Sequence, residues 1–110
     1  MLDFALNHMA VPRLGAMAFL DAAKALGCVG VEFRNDLPTP LFDGLAPEAI
    51  RDAVAERGLR FLSLAEVKMF NDWSDTKRGE AEALMKIAVA AGAEAVVLGR
   101  IVRVAHGAKE

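Results

Sequence analysis

The sequence predicts an α/β chain built on a parallel sheet, and three observations lead there. An Ala-rich amphipathic segment, a glycine and a short apolar run recur three times, as AAKALGCVGVEF, AVAERGLRFLSLAEV and AVAAGAEAVVLG. The junction glycines Gly27, Gly58 and Gly92 stand 58 − 27 = 31 and 92 − 58 = 34 residues apart, the length of one helix and one strand with their loops. Strands alternating with helices at that period form βα units, whose crossovers make neighbouring strands parallel.

The elements follow in order. A first strand is expected over Leu2 to Leu6, ending at the polar pair Asn7 and His8. The first helix is expected from Gly15 to Leu26, because Ala16, Phe19, Leu20, Ala23 and Leu26 share one face of a 3.6-residue period. Gly27 stops it by taking the left-handed conformation. The second strand, Cys28 to Phe33, leads into a loop over Arg34 to Ala46, where Pro38, Pro40 and Gly44 argue against regular structure. The second helix starts with Pro47 at its first position and runs to Gly58, with the weak cap Ala46 before it. The third strand spans Leu59 to about Ala65, followed by a polar loop over Val67 to Ser74. The third helix takes Asp75 as its N-cap and repeats the apolar spacing at Ala81, Leu84, Met85, Ala88 and Ala91. Gly92 ends it, and Ala93 to Leu98 reads as the fourth strand. Residues 99–110 carry no helix stripe or cap and read as a divergent tail.

Composition narrows the function classes. With 110 residues, 55% hydrophobic and 25% charged, the chain is one globular domain. A net charge of −2, from 13 basic and 15 acidic residues interspersed, leaves no basic footprint for nucleic acid or an anionic membrane. The single Cys28 beside Val29 reads as a buried thiol in a reducing compartment, and the N-terminus has no signal-peptide core, so a cytoplasmic location is expected. His8 and His106 are the only histidines, without zinc-ligand spacing, and no Gly-x-Gly-x-x-Gly, Walker loop or Gly-x-Ser-x-Gly elbow is present.

In parallel α/β architectures, chemistry collects at the carboxyl ends of the strands. That singles out Asn7 and His8 after the first strand, Glu32 and Arg34 at the end of the second, Glu66 and Lys68 at the end of the third, and Trp73 in the loop beyond. Alternation puts Glu32 and Arg34 on one face, opposite Val29, Val31 and Phe33. Glu32 and Arg34 suit a polyol or carboxylate ligand, or else an ion pair between strands. His8 reads as a ligand contact or as a hydrogen-bonded structural residue, Glu66 as an acid, base or hydroxyl contact or as a solvated strand end. Trp73 is a wall against a sugar face or a lid on the core. Lys68 reads as solvated, and Met17, Met69 and Met85 as core filler.

The segments FALNHMAVPRL, GVEFRNDL, PLFDGL with PEAIRDAVAERGL, and LAEVKMFNDWSD together resemble the N-terminal half of sugar-phosphate isomerase/epimerase proteins, the xylose-isomerase-like TIM barrels. The resemblance covers about residues 1–98 and implies a partial (β/α)8 TIM barrel of four strands and three helices. It further implies isomerisation or epimerisation beside a carbonyl, with a divalent metal (Mn, Mg or Zn). Carried onto this chain, the substrate-binding positions are His8, Glu32, Arg34, Glu66 and Trp73, and catalytic residues are unassigned. The family's metal ligands come from the second half of a barrel of about 250 residues, so none is expected to be bound by this chain alone. The DNA-repair branch of the superfold carries histidines at the second and third strand ends, where this chain has Glu32 or Arg34 and Glu66.

Three readings follow. The chain is a member or truncated piece of a sugar, inositol or hydroxy-acid isomerase. Alternatively it is a half-barrel forming a homodimer through its open sheet edges, or an inactive, frameshifted fragment whose tail departs from the family after residue 98.

Overall fold

Four parallel strands lie side by side in chain order, joined by three helices. The computed structural model describes residues 3–67 and 74–98. The strands are β1 (Ala5–Asn7), β2 (Gly30–Arg34), β3 (Arg60–Val67) and β4 (Val96–Leu98), and the helices α1 (Ala16–Ala25), α2 (Pro47–Glu56) and α3 (Asp75–Ala91). A short 3₁₀ turn occupies His8–Ala10, and Leu41–Gly44 form a tight turn whose backbone is left-handed at Phe42 and Asp43.

The junction glycines do what the repeat predicts, with φ of +75° at Gly27, +67° at Gly58 and +78° at Gly92. After each, the next amide turns back to the helix: Cys28 N to Ala23 O, Leu59 N to Val54 O and Ala93 N to Ala88 O, at 3.0, 3.1 and 2.9 Å. This Schellman closure satisfies helix carbonyls that would otherwise be orphaned. It also explains why β2, β3 and β4 begin later than the expected Cys28, Leu59 and Ala93, since those amides are spent on the helix. β1 is likewise shorter than expected at its start, and β2 and β3 run on to Arg34 and Val67.

The core lies between the helices and one face of the sheet. Phe19 and Leu20 of α1, Ile50 of α2, Val31 and Phe33 of β2 and Leu64 of β3 are fully buried. Phe33 is the hub, with ring centroids of Phe19, Phe42 and Phe61 at 5.0, 5.0 and 5.1 Å. Two stripe positions leave the core: Leu26, at the C-cap beyond the last turn of α1, is exposed, and so is Met85, on the flank of α3. Met17 packs against the core from its edge, as does Cys28, which is only half-buried. Met69 lies outside the described residues.

Two helix starts differ from expectation. α3 is capped by Ser74, whose Oγ accepts from Lys77 N at 3.1 Å, so Asp75 is its first residue and favours the positive end of the dipole. α1 begins after Gly15, which has no side chain to cap with, and the cap comes instead from the loop after β2. Asp43 Oδ2 accepts from Ala16 N at 2.7 Å. That loop packs more closely than its prolines suggest, because a turn with left-handed backbone at Phe42 and Asp43 drives Phe42 into the core.

Candidate functional site

The sheet face turned away from the helices carries the polar strand residues. Strict alternation along RFLSLAEV would put Phe61 and Ser63 on one face. A register shift intervenes: Val31 pairs with Phe61, while Glu32 pairs with Ser63 and Phe33 with Leu64. The extra residue, Leu62, lets both Phe61 and Leu64 reach the core and turns Ser63 toward Glu32.

Asn7, Glu32 and Ser63 thereby form a row across β1, β2 and β3. Asn7 Nδ2 donates to Glu32 Oε1 at 3.3 Å and Ser63 Oγ donates to Glu32 Oε2 at 3.2 Å. Asn7 is held from its other end, where its Oδ1 accepts from Met9 N at 2.8 Å. Both bonds to Glu32 are long, and each carboxylate oxygen keeps acceptor capacity for a further donor.

One step further along the strands lies a second cluster. Arg34 donates through Nε and Nη2 to the two oxygens of Asp36 at 2.9 and 2.6 Å, and Nη2 also donates to Glu66 Oε1 at 3.0 Å. All three side chains are four-fifths or more shielded from solvent. The side-on fork with Asp36 is the first cause that raises the Arg34 pKa above its ordinary value, reinforced by the nearby charges of Asp36 and Glu66 and opposed by desolvation. Asn35 locks the backbone beside it: Glu66 N donates to Asn35 Oδ1 at 2.8 Å and Asn35 Nδ2 donates to Glu66 O at 3.1 Å.

The structure thus brings Glu32, Arg34 and Glu66 to one region and sends His8 elsewhere. His8 is 4% exposed and lies in the core, stacked on Phe19 at 4.3 Å and edge-on to Phe33 at 5.5 Å. Its Nε2 is 2.7 Å from Leu14 O and so carries the proton that the carbonyl accepts, leaving Nδ1 buried with no partner among the described residues. Trp73 and Lys68 lie outside the described residues. Sequence reasoning passed over Ser63, Asn35 and Asp36. Ser63 is concealed by the register shift, whereas Asn35 and Asp36 directly follow the strand, inside the stretch expected as a loop.

The described residues do not fit the divalent metal that the sequence resemblance implies. No group of three or more His, Cys, Asp or Glu is placed to hold an ion among them. Asp36 and Glu66 converge on a guanidinium, and Glu32 is met by neutral donors. No described helix is long and apolar enough to cross a membrane. Apart from the polar face, a groove of about 370 Å³ runs between α3 and β4, lined by Met85, Ala88, Val89, Val96 and Leu98.

No protein-family profile and no curated protein matches the chain. Among solved structures, a xylose isomerase domain-containing protein of Salmonella typhimurium LT2 is similar, with a TM-score of 0.85 and 30% identity over 91% of this chain and 37% of that one. A xylose isomerase-like TIM barrel/4-hydroxyphenylpyruvate dioxygenase fusion protein shares the fold, with a TM-score of 0.69 and 18% identity over 86% of this chain and 15% of that one. The chain therefore spans about a third of the first relative and less of the second. In structure, its four strands and three helices match part of the barrel of xylose isomerase-like TIM barrel proteins.

Proposed function

We propose that this chain supplies the substrate-binding wall of a cytoplasmic, metal-assisted isomerase or epimerase acting on a sugar, inositol or hydroxy-acid. The observation that carries the reading is the polar row Asn7–Glu32–Ser63, continued by Arg34 and Glu66, on the face opposite the core and toward the carboxyl ends of the strands. Glu32, bracketed by an amide and a hydroxyl, accepts from ligand hydroxyls, and Ser63 and Asn7 can turn to the same ligand. Trp73 is assigned to the apolar side of the sugar. The metal of such chemistry finds no donor set among the described residues, so the role assigned here is binding, without a catalytic residue.

Calorimetric titration of the chain with fructose tests it. Saturable binding is expected, weakened about tenfold or more in Glu32→Gln, since a hydrogen bond to a charged group contributes about 1.5–3 kcal/mol. Absence of binding to fructose up to about 10 mM refutes the reading.

Self-association is the second reading, favoured by a different observation. Among the described residues, β1 and β4 are paired on one side only, and Phe4, Val97, Leu98 and Val89 are exposed near those edges. Open parallel edges with apolar neighbours are templates for pairing, here with a second copy. Sedimentation at micromolar protein decides it, with a dimer expected and a folded monomer refuting it.

A further inference from the structure

We propose that Asn35 is a positioning residue for the binding face: its side-chain amide stands in for a missing strand partner and holds Glu66 where a ligand hydroxyl meets it. The inference rests on the binding role proposed above and deepens it, through a residue that acts by way of its neighbour.

Glu66 lies where the sheet leaves a gap. On one side β2 pairs with β3 as far as Arg34 and Ala65, and β2 ends there while β3 runs on to Val67. On the other side β4 skips a residue, Val97 pairing with Ala65 and Leu98 with Val67. Glu66 is thus the extra residue of a bulge, a position left out of the ladder that re-aims a side chain. Its backbone N–H and C=O still need partners, and Asn35 supplies both. Asn35 N first extends the ladder by donating to Ala65 O at 2.8 Å. Its side-chain Oδ1 then accepts from Glu66 N at 2.8 Å, and Nδ2 donates to Glu66 O at 3.1 Å. The carboxamides of Asn and Gln offer an acceptor and a donor side by side, as a peptide group does.

The Glu66 side chain is therefore fixed from two ends. Asn35 holds its backbone, and Arg34 Nη2 donates to Oε1 at 3.0 Å. That bond uses one of about four acceptor sites on a carboxylate, so the group keeps capacity for ligand hydroxyls. A ligand that meets a side chain already in place does not lose affinity to ordering it. Asn35 is itself exposed, so breaking its bonds returns Glu66 N and O to water instead of leaving them buried without partners. The consequence of losing Asn35 then falls on the order of Glu66 more than on the fold.

The test is calorimetric titration of the full chain with fructose in a double-mutant cycle. Asn35→Ala is expected to keep the circular dichroism spectrum and to bind fructose about three- to tenfold more weakly than wild type. Glu66→Ala is expected to bind more weakly as well. Adding Asn35→Ala to it is expected to change the affinity by less than about twofold, because the side chain being positioned is gone. Asn35→Gln, which keeps both acceptor and donor, is expected to bind more tightly than Asn35→Ala. A folded Asn35→Ala chain with wild-type affinity overturns the proposal while leaving the binding role intact. An equal loss with and without the Glu66 side chain also overturns it. If Glu66→Ala abolishes binding, Asn35→Gln decides, and an affinity no better than that of Asn35→Ala overturns the proposal. An Asn35→Ala chain that does not fold makes Asn35 a residue of the fold and overturns it too. Failure of fructose to bind the wild-type chain removes the binding role itself, and the proposal with it.

Discussion

Replacing Asp43 should show how much of the fold depends on a contact between distant loops. Asp43 and its neighbour Phe42 sit at φ of +57° and +58°, a conformation that costs an ordinary residue about 1–2 kcal/mol and Asp or Asn less. The Asp43 carboxylate supplies the cap that Gly15 lacks, at 2.7 Å from Ala16 N. Removing such a cap costs about 1 kcal/mol, and losing a negative charge at the helix N-terminus about 0.3–1 kcal/mol more. Asp43→Ala loses cap and charge and adds left-handed strain, for a total of about 2–3 kcal/mol. Asp43→Gly loses cap and charge but relieves the strain, so about 1–2 kcal/mol is expected. Asp43→Asn keeps an acceptor and tolerates the conformation, so about 0.5–1 kcal/mol is expected. Urea unfolding followed by circular dichroism measures the series, read as shifts in midpoint at constant slope. The order of stability should be wild type, Asn, Gly, Ala. An alanine variant as stable as wild type, or a glycine variant less stable than alanine, would refute the reasoning.

Phe33→Ala empties the centre of the aromatic cluster and should cost about 3–5 kcal/mol in the same assay. His8→Ala removes a buried ring stacked on Phe19 and its bond to Leu14 O, and should cost about 2–4 kcal/mol while leaving the fructose affinity of the folded chain unchanged. Arg60 grips Glu94 through two hydrogen bonds, of 2.8 and 2.6 Å, and these hold the Glu94 carboxyl below its ordinary value. A carboxylate depressed on folding contributes stability above its unfolded pKa, and that contribution fades as pH falls through the folded pKa. Unfolding measured from neutral to acid pH should therefore show a shallower acid loss in Glu94→Gln than in wild type, and identical slopes would remove the Arg60–Glu94 linkage.

Much of the architecture was legible because its signals are local. A stripe such as Ala16, Phe19, Leu20 and Ala23 is a property of one helical turn after another, and each junction glycine meets a conformational demand within its own few residues. The alternation that put Glu32 and Arg34 opposite Val31 and Phe33 is equally local. Ser63 broke the rule because a register shift is chosen by the neighbouring strand, where Phe61 and Leu64 must both find the core. His8 was ambiguous for a related reason. Its position after β1 marks a strand end, but only packing decides whether the ring goes to the polar sheet face or joins Phe19 and Phe33.

The sequence by itself determined the order of elements, the parallel sheet, the helix stops and the resemblance to xylose isomerase-like barrels, all of which rest on periodicity and short motifs. The tertiary structure decided which polar groups meet. The Asp43 cap, the Ser63–Glu32 bond and the Arg34–Glu66 pair join residues 27, 31 and 32 positions apart. Such contacts depend on register and loop path, quantities set by the packing of the whole sheet rather than by neighbours in the chain. For Arg34 the difference is chemical: the sequence leaves it between a ligand contact and an ion pair across strands, and in the fold it is a charge answered by Asp36 and by Glu66 of the neighbouring strand.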